Sequence, residues 1–361
     1  MPRRILLLIT DLEIGGTPTV VRELARRLHA PPDIEIEVAS LKDLGPVAEA
    51  IRAVGIPVHA LGARRITQLR STVRRLRTLV RERSIDTVFS FLVHANVVAA
   101  LATAKLPGVR FFQSIQTIQP RPRWHWWAQR WAHARAERIV VPSTAIVRMA
   151  RQRSGIPESK FTVIPNAIAP DDFPRLEVFR RPVVRAGYLG RLDPAKSPGL
   201  LIAALECTAA DDFQLHYFGD GSARPALERA GAHSRVANRI HFHGAVPRPQ
   251  DALNQIDVLW QPSTVEGFGL VLLEAMASGV PVVACAAGGV TDILTDRQNG
   301  LLINAPFSAD QFADSLRLLR DDPALRQRLI DNARQTVRDR FTWDAILPQY
   351  RQLLVSRASC P

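Results

Sequence analysis

Cysteine is scarce: Cys207, Cys285 and Cys360 are the only three in 361 residues, an odd number with no Cys-x-x-Cys pair. That excludes a disulfide-stapled scaffold and a thiolate zinc site, and suits a reducing cytoplasm. No apolar run reaches the ~18–20 residues that a membrane-spanning helix needs. The opening Met-Pro-Arg-Arg-Ile-Leu-Leu-Leu-Ile-Thr-Asp meets an acid too soon for a signal sequence, and reads as a buried first strand. Asp-x-Asp occurs nowhere, which removes the commonest short acidic motif for a divalent ion. Internal repeats and low-complexity tracts are also missing, so a solenoid is excluded.

Against these absences stand 47% hydrophobic and 22% charged residues, enough apolar mass for two cores in a chain of this length. The net charge of +13 is unevenly spread. Basic residues exceed acidic ones by fourteen over 1–184, whereas 185–340 is two negative. Within the basic half, 64–83 holds eight arginines and one acid, and 121–138 holds five arginines and one acid. So localised a basic surface expects an anionic partner: a phosphate-bearing ligand, a membrane face or nucleic acid.

Short apolar runs alternate with helical patterns from end to end, the sign of parallel βαβ units. Strands are predicted at Ile5–Ile9, Ile34–Ala39, Thr87–Phe91, Arg110–Ile115 and Arg138–Val141. After a proline-rich break they resume near Val183–Leu189, Gln214–Phe218, Arg239–Phe242, Asp257–Gln261, Pro281–Ala284 and Gly300–Ile303. Amphipathic stretches lie between, such as Val20–Leu28 and Leu69–Val80, the latter with its apolar stripe at Leu69, Val73, Leu76 and Val80. The predicted division is a first α/β domain over 1–167, a linker over 168–182, a second α/β domain over 183–340 and a returning helix over 341–361. Two doubly wound units then face a cleft lined by the carboxyl ends of their strands.

Three loops carry chemistry. After the first strand, Gly15-Gly16 precedes a helix, so backbone N–H groups can approach a phosphate; alone, this pair is equally a turn. It is neither Gly-x-Gly-x-x-Gly nor a Walker loop. In the second half, Gly190-Arg191-Leu-Asp-Pro-Ala-Lys196 puts two cations at a strand's carboxyl end, able to converge on a diphosphate or simply to be solvated. Then Glu266-Gly267-Phe268-Gly269 turns into Leu270-Val271-Leu-Leu-Glu274, with the N–H groups of Phe268–Val271 aimed at an anion. Glu274 sits in an apolar helix, where a carboxylate is costly unless something hydrogen-bonds it, and a ribose diol would do so. The alternative is a cap and a satisfied core acid. The adjacent pairs Asp171-Asp172, Asp211-Asp212 and Asp321-Asp322 read as caps or turns.

Together with Gly219-Asp-Gly221, His243-Gly244, Gly288-Gly289 and Asn299-Gly-Leu-Leu302, these loops resemble, in order and spacing, the retaining GT-B glycosyltransferases of family 4 (glycosyl transferases group 1). The resemblance implies two Rossmann-like domains and transfer of a sugar from a nucleotide diphosphate donor with retention at the anomeric carbon. It implies that Gly16 contacts the phosphates and that Arg191 and Lys196 stabilise the leaving group. By the same resemblance Glu266 and Phe268–Gly269 meet the donor sugar, with Gly15, Gly190, Gly267, Leu270 and Val271 around it, and Glu274 holds the ribose. Fixed cations replace a metal ion in that scheme, and the nucleotide sugar is a substrate, so no cofactor is required. Val246, in the Gly244–Arg248 loop, is expected on the base side, where Arg248 favours uridine over guanine.

One departure concerns the histidine that many members carry after the strand at Arg110–Ile115. Gln116 stands there, able to hydrogen-bond but not to take a proton. His94, after Thr87–Phe91, is the nearest replacement, while His241 and His243 read as structural. The stretch 119–138 holds four of the six tryptophans, with Trp124, Trp127 and Trp131 at helical spacing among arginines, as at a lipid headgroup interface. Arg70, Arg74, Arg77 and Arg81 lie one residue beyond the apolar stripe of their helix. The acceptor is therefore expected to be a lipid-linked or envelope glycan, such as lipopolysaccharide, met at the inner face of the plasma membrane. A nucleic-acid binder would leave the neutral second half and its two acids unexplained. A nucleotide-sugar epimerase of the same architecture is the nearer alternative, distinguished by needing no acceptor.

Overall fold

The computed structural model describes residues 3–63, 65–118, 124–208 and 212–355. The chain forms two units, one up to Asn166 that includes the chain again from Ile346, the other Ala167–Ala345. Among the described residues the first holds β1 (Arg3–Ile9), β2 (Ile34–Ser40), β3 (Val58–Ala60), β4 (Thr87–Phe91), β5 (Arg110–Ser114), β6 (Arg138–Val141) and β7 (Phe161–Val163), in the order β3-β2-β1-β4-β5-β6-β7. The second holds β8 (Val184–Leu189), β9 (Phe213–Phe218), β10 (Ile240–Gly244), β11 (Val258–Gln261), β12 (Val282–Cys285) and β13 (Leu301–Ile303), in the order β10-β9-β8-β11-β12-β13.

Every pairing in both sheets is parallel. Parallel strands are covered on both faces, so the central ones must be apolar throughout; Ile5–Ile9 and all of β4 are buried. Strand order reverses between β1 and β4, and again between β8 and β11. Crossovers run outward in both directions from such a seam and leave a crevice beyond the carboxyl ends of its two strands.

The stretch expected as a linker is knitted into the second unit. Ile168 N–H donates to the Phe341 carbonyl at 2.9 Å, Leu176 N–H to Ser278 at 2.8 Å, and Phe179 N–H to the Asp257 carboxylate at 2.7 Å. The last helix, Trp343–Val355, returns to the first unit, where Tyr350 lies 6.2 Å from the Phe89 ring. Arg110 closes it by donating to the Leu354 carbonyl at 3.0 Å. Of the paired acids, Asp322 accepts from Leu325 N–H at 2.8 Å, capping Pro323–Arg340, whereas Asp211 lies outside the described residues, as does Cys360.

Two histidines are buried in the neutral form. His133 faces the Gln113 amide in the first unit, and His216 is 2.9 Å from the His243 ring nitrogen in the second. Burial holds both down at about 3, for His216 with help from the neighbouring His241 and His243. The unfolded chain takes up these protons below about 6.5, so stability is full above that pH and falls as pH drops from there toward 3. Each group is expected to cost its unit about 2 kcal/mol at pH 5. Melting measured from pH 7.5 to 5 should flatten for the second unit in His216→Phe; an unchanged slope would refute the assignment.

Candidate active site

In the second unit the chain leaves β8 through Gly190, whose carbonyl is approached so closely by Gly219 that a Cβ on Gly219 would stand 1.9 Å from it. The Asp193 carboxylate accepts from Ala195 N–H at 3.0 Å and starts a single 3-10 turn, Pro194–Lys196, which ends at Ser197 in the left-handed region. This turn fixes Lys196. Its Nζ lies 2.6 Å from Oε2 of Glu266, beyond the end of β11, so the contact spans the seam between β8 and β11. Both side chains are largely buried. Arg191 instead extends outward, 74% exposed and 3.7 Å from Asp193. Tyr188 donates to the Arg191 carbonyl at 2.8 Å, and burial beside Glu266 keeps its phenol protonated far above the usual range.

The main chain of Glu266 is held by the glycine pair Gly288-Gly289. Gly289 N–H donates to the Glu266 carbonyl at 2.9 Å, and a Cβ on Gly288 or Gly289 would lie 2.0 Å from Glu266 O or 2.4 Å from Gly267 O. Gly269, at φ 104, starts the helix Leu270–Ser278 with no side-chain cap, so the amides of half-buried Leu270 and Val271 lie at an open helix end. The Phe268 ring is 2% exposed and edge-on to Phe341 at 5.9 Å, leaving its main chain for a ligand. Glu274 is half-buried on the second turn of that helix and has no hydrogen-bond or ion-pair partner among the described residues. Burial lifts its carboxyl to about 7. Val246 packs against the same core, and Arg248 is paired with Asp251 at 2.8 Å.

In the first unit Gly15 and Gly16 are exposed at the start of Gly16–Leu28, which likewise has no side-chain cap. After β4, Leu92 takes φ 72, a strained value for leucine, and presents Val93 and His94 as the first residues of Val93–Thr103. His94 is exposed, edge-on to His125 at 5.6 Å, and kept neutral by partial burial and by Lys42. Asn96 is instead buried, accepting from Ser90 at 2.7 Å and donating to the Ser114 carbonyl at 3.1 Å. Gln116 turns inward: its amide donates to Ser114 Oγ at 2.7 Å and accepts from Asn166 at 3.1 Å, so both ends are occupied.

The arginine and tryptophan surfaces also change on folding. Arg77 donates to the Leu101 carbonyl at 2.6 Å, closing a helix end, and Arg75 to Leu61 at 2.6 Å, while Arg70, Arg74 and Arg81 stay exposed. On the helix Trp124–His133, Trp127 is 73% exposed. Trp126 is buried, and Trp131 packs on the core under the Arg135 guanidinium. Residues 119–123 and the Trp124 side chain lie outside the described residues. Sequence reasoning missed three features: the Lys196–Glu266 contact, the Tyr188 hydroxyl and the clamping part of Gly288-Gly289. Only the last had a signal, the glycine pair itself.

Comparison with known proteins adds the following. The family model Glycosyl transferases group 1 matches residues 182–336, and Glycosyltransferase Family 4 matches residues 14–172. D-inositol 3-phosphate glycosyltransferase of Kribbella flavida is 35% identical over 164 residues, covering 42% of this chain and 38% of its own length. The lipopolysaccharide core biosynthesis glycosyltransferase LpsE of Rhizobium meliloti is 30% identical over 189 residues, 52% of each chain. The chain thus spans between about two fifths and half the length of these curated relatives. Among solved structures, Anabaena Alr3699/HepE in complex with UDP and glucose superposes with a TM-score of 0.88 at 21% identity, covering 98% of this chain and 100% of that one.

Proposed function

The chain belongs to the group 1 glycosyltransferases of GT-B fold, and from that premise we propose that it moves a sugar from a nucleoside diphosphate donor, UDP by preference, to a lipid-linked or envelope glycan. The observation that carries the donor half is Glu274: a half-buried carboxyl with no hydrogen-bond or ion-pair partner among the described residues, beside an uncapped helix start, invites a ligand's paired hydroxyls. A ribose diol supplies them. The diphosphate then meets the Leu270–Val271 amides and the cations Arg191 and Lys196, all in the second unit; in the first unit the uncapped helix start at Gly15–Gly16 is by itself a place for a phosphate.

In this scheme Lys196 and Arg191 neutralise charge that grows on the departing phosphate, the task a divalent ion performs elsewhere, and transfer proceeds without metal. Glu266 holds donor hydroxyls, and retention follows if the acceptor attacks from the face the diphosphate leaves. His94, exposed and neutral, is the first-unit group we put at the substrate, while the Gln116 amide is taken up by Ser114 and Asn166. The UDP preference is favoured by the UDP bound to Alr3699/HepE. The envelope acceptor draws on LpsE and on Arg70, Arg74, Arg81 and Trp127, which suit an anionic membrane face.

The test is one series with EDTA throughout. UDP at ~100 times its dissociation constant should add about 2.7 kcal/mol of stability to the protein and none to Glu274→Ala. The same protein should pellet with anionic vesicles and not with neutral ones. No UDP effect in the wild type removes the donor reading, and equal pelleting removes the membrane one.

A further inference from the structure

The first unit contains a pocket of about 310 Å3, near the lower end of small-molecule sites, most of whose walls play no part in the donor scheme. It lies where the strands of the β1–β4 seam deliver their carboxyl ends. Thr10 follows β1, Lys42 follows β2, Ala63 follows β3, and Val93 and His94 follow β4. The strained Leu92 turn sets these last two on the wall.

The pocket joins two chemistries. Its interior is hydrocarbon, chiefly Leu41, Val93, Val97 and Val98, and Leu69 stays 37% exposed as part of the lining. Methyl-lined space of this size forfeits packing contacts unless something apolar fills it. A free sugar is a poor occupant, because its hydroxyls would lose water without gaining partners. Yet two exposed cations, Lys42 and Arg65, line the same pocket. Asp11 offsets Lys42 at 3.1 Å, and Arg65 has no ion-pair partner among the described residues. One polar atom inside, Thr10 Oγ1, is buried without a hydrogen bond.

We infer that this pocket takes the apolar segment next to the phosphate of a lipid-phosphate acceptor, with the phosphate against Lys42 and Arg65. The inference rests on the proposed transfer reaction and specifies its acceptor. Charge complementarity chooses the occupant: an alcohol of the same length would leave both cations unused, and inorganic phosphate would leave the hydrocarbon wall empty. The exposed Trp127 precedes the lining residue Ala128 on its helix, a neighbour suited to a lipid surface.

The probes are farnesyl phosphate, farnesol and inorganic phosphate, each added below any micelle-forming concentration to the full chain, with binding read by calorimetry. Farnesyl phosphate is expected to bind at least about tenfold more tightly than either of the others. Val97→Trp, which fills the pocket, and Lys42→Ala/Arg65→Ala, which leaves it open but uncharged, should each weaken farnesyl phosphate by about tenfold or more and leave UDP binding unchanged. A circular dichroism spectrum and melting curve like those of the wild type show that each variant is folded, and retained UDP binding shows that the second unit is intact; should Val97→Trp fail to fold, the double alanine variant decides. Farnesyl phosphate binding that is absent, matched by inorganic phosphate, or unaffected by these variants overturns the inference. A protein that binds farnesyl phosphate but not UDP keeps this pocket and loses the donor reading instead.

Discussion

Lys196→Ala is expected to slow sugar transfer by about 10²–10³-fold, the usual loss when one preorganised group that meets developing charge is removed. The geometry makes this more than the deletion of a surface cation. Lys196 is pinned by the Asp193-capped turn, and its ammonium touches Glu266 at 2.6 Å in a place where both side chains are largely out of solvent. Deleting the lysine therefore leaves Glu266 as a poorly hydrated, unpaired carboxylate, with an expected stability cost of about 1–3 kcal/mol. Lys196→Ala/Glu266→Gln, compared with Glu266→Gln alone because Glu266 itself holds donor hydroxyls in this scheme, separates the two effects. The second change removes the stranded charge, so stability should recover while transfer does not. If the double variant regains transfer together with stability, Lys196 is a structural partner of Glu266 and not the group that meets the leaving phosphate.

Gly288→Ala is expected to weaken UDP binding and to slow transfer on the order of 10²-fold without unfolding the second unit. A Cβ there would sit 2.0 Å from the Glu266 carbonyl oxygen, far inside contact distance, and that oxygen belongs to the turn that aims Glu266 at Lys196. The turn must move, and a displacement of about 1 Å in a reactive constellation costs on the order of 10²-fold in rate. Gly288 also has φ 59, so alanine adds roughly 1–2 kcal/mol of backbone strain wherever it goes. Gly155→Ala provides the comparison: φ is 64 and nothing lies within 4 Å of the new methyl group. It should show the strain in its melting temperature and leave UDP binding intact. Equal UDP affinity in Gly288→Ala and wild type would mean that the glycine pair does not hold the site.

How far the fold could be read from the chain depended on burial. β1 and β4 stood out because a central parallel strand is covered on both faces and must be apolar along its length. β3 and β7 went unread. Each is only three residues at a sheet edge, partly exposed, with no run long enough to distinguish strand from loop. The stretch 168–182 looked like a linker because prolines and acids interrupt its periodicity. Its ties to Phe341 and Ser278 are backbone hydrogen bonds, which leave no trace in side-chain pattern, and its tie to the Asp257 carboxylate joins residues 78 positions apart.

By itself the sequence determined the alternating α/β architecture, the uneven basic charge, and the loops that carry glycines, cations and acids at strand ends. All of these are properties of neighbours along the chain, where periodicity and turn chemistry act. Tertiary structure alone decided which side chains are free to act. Lys196 meets Glu266 across 70 residues, Gln116 is occupied by an asparagine 50 residues away, and Arg77 turns from the surface to a helix end 24 residues on. The Leu41–Val98 pocket is likewise assembled from four successive strand ends. Such pairings are set by distances of a few ångströms between remote segments, and hydrogen bonding and desolvation act at that range whatever the separation in sequence.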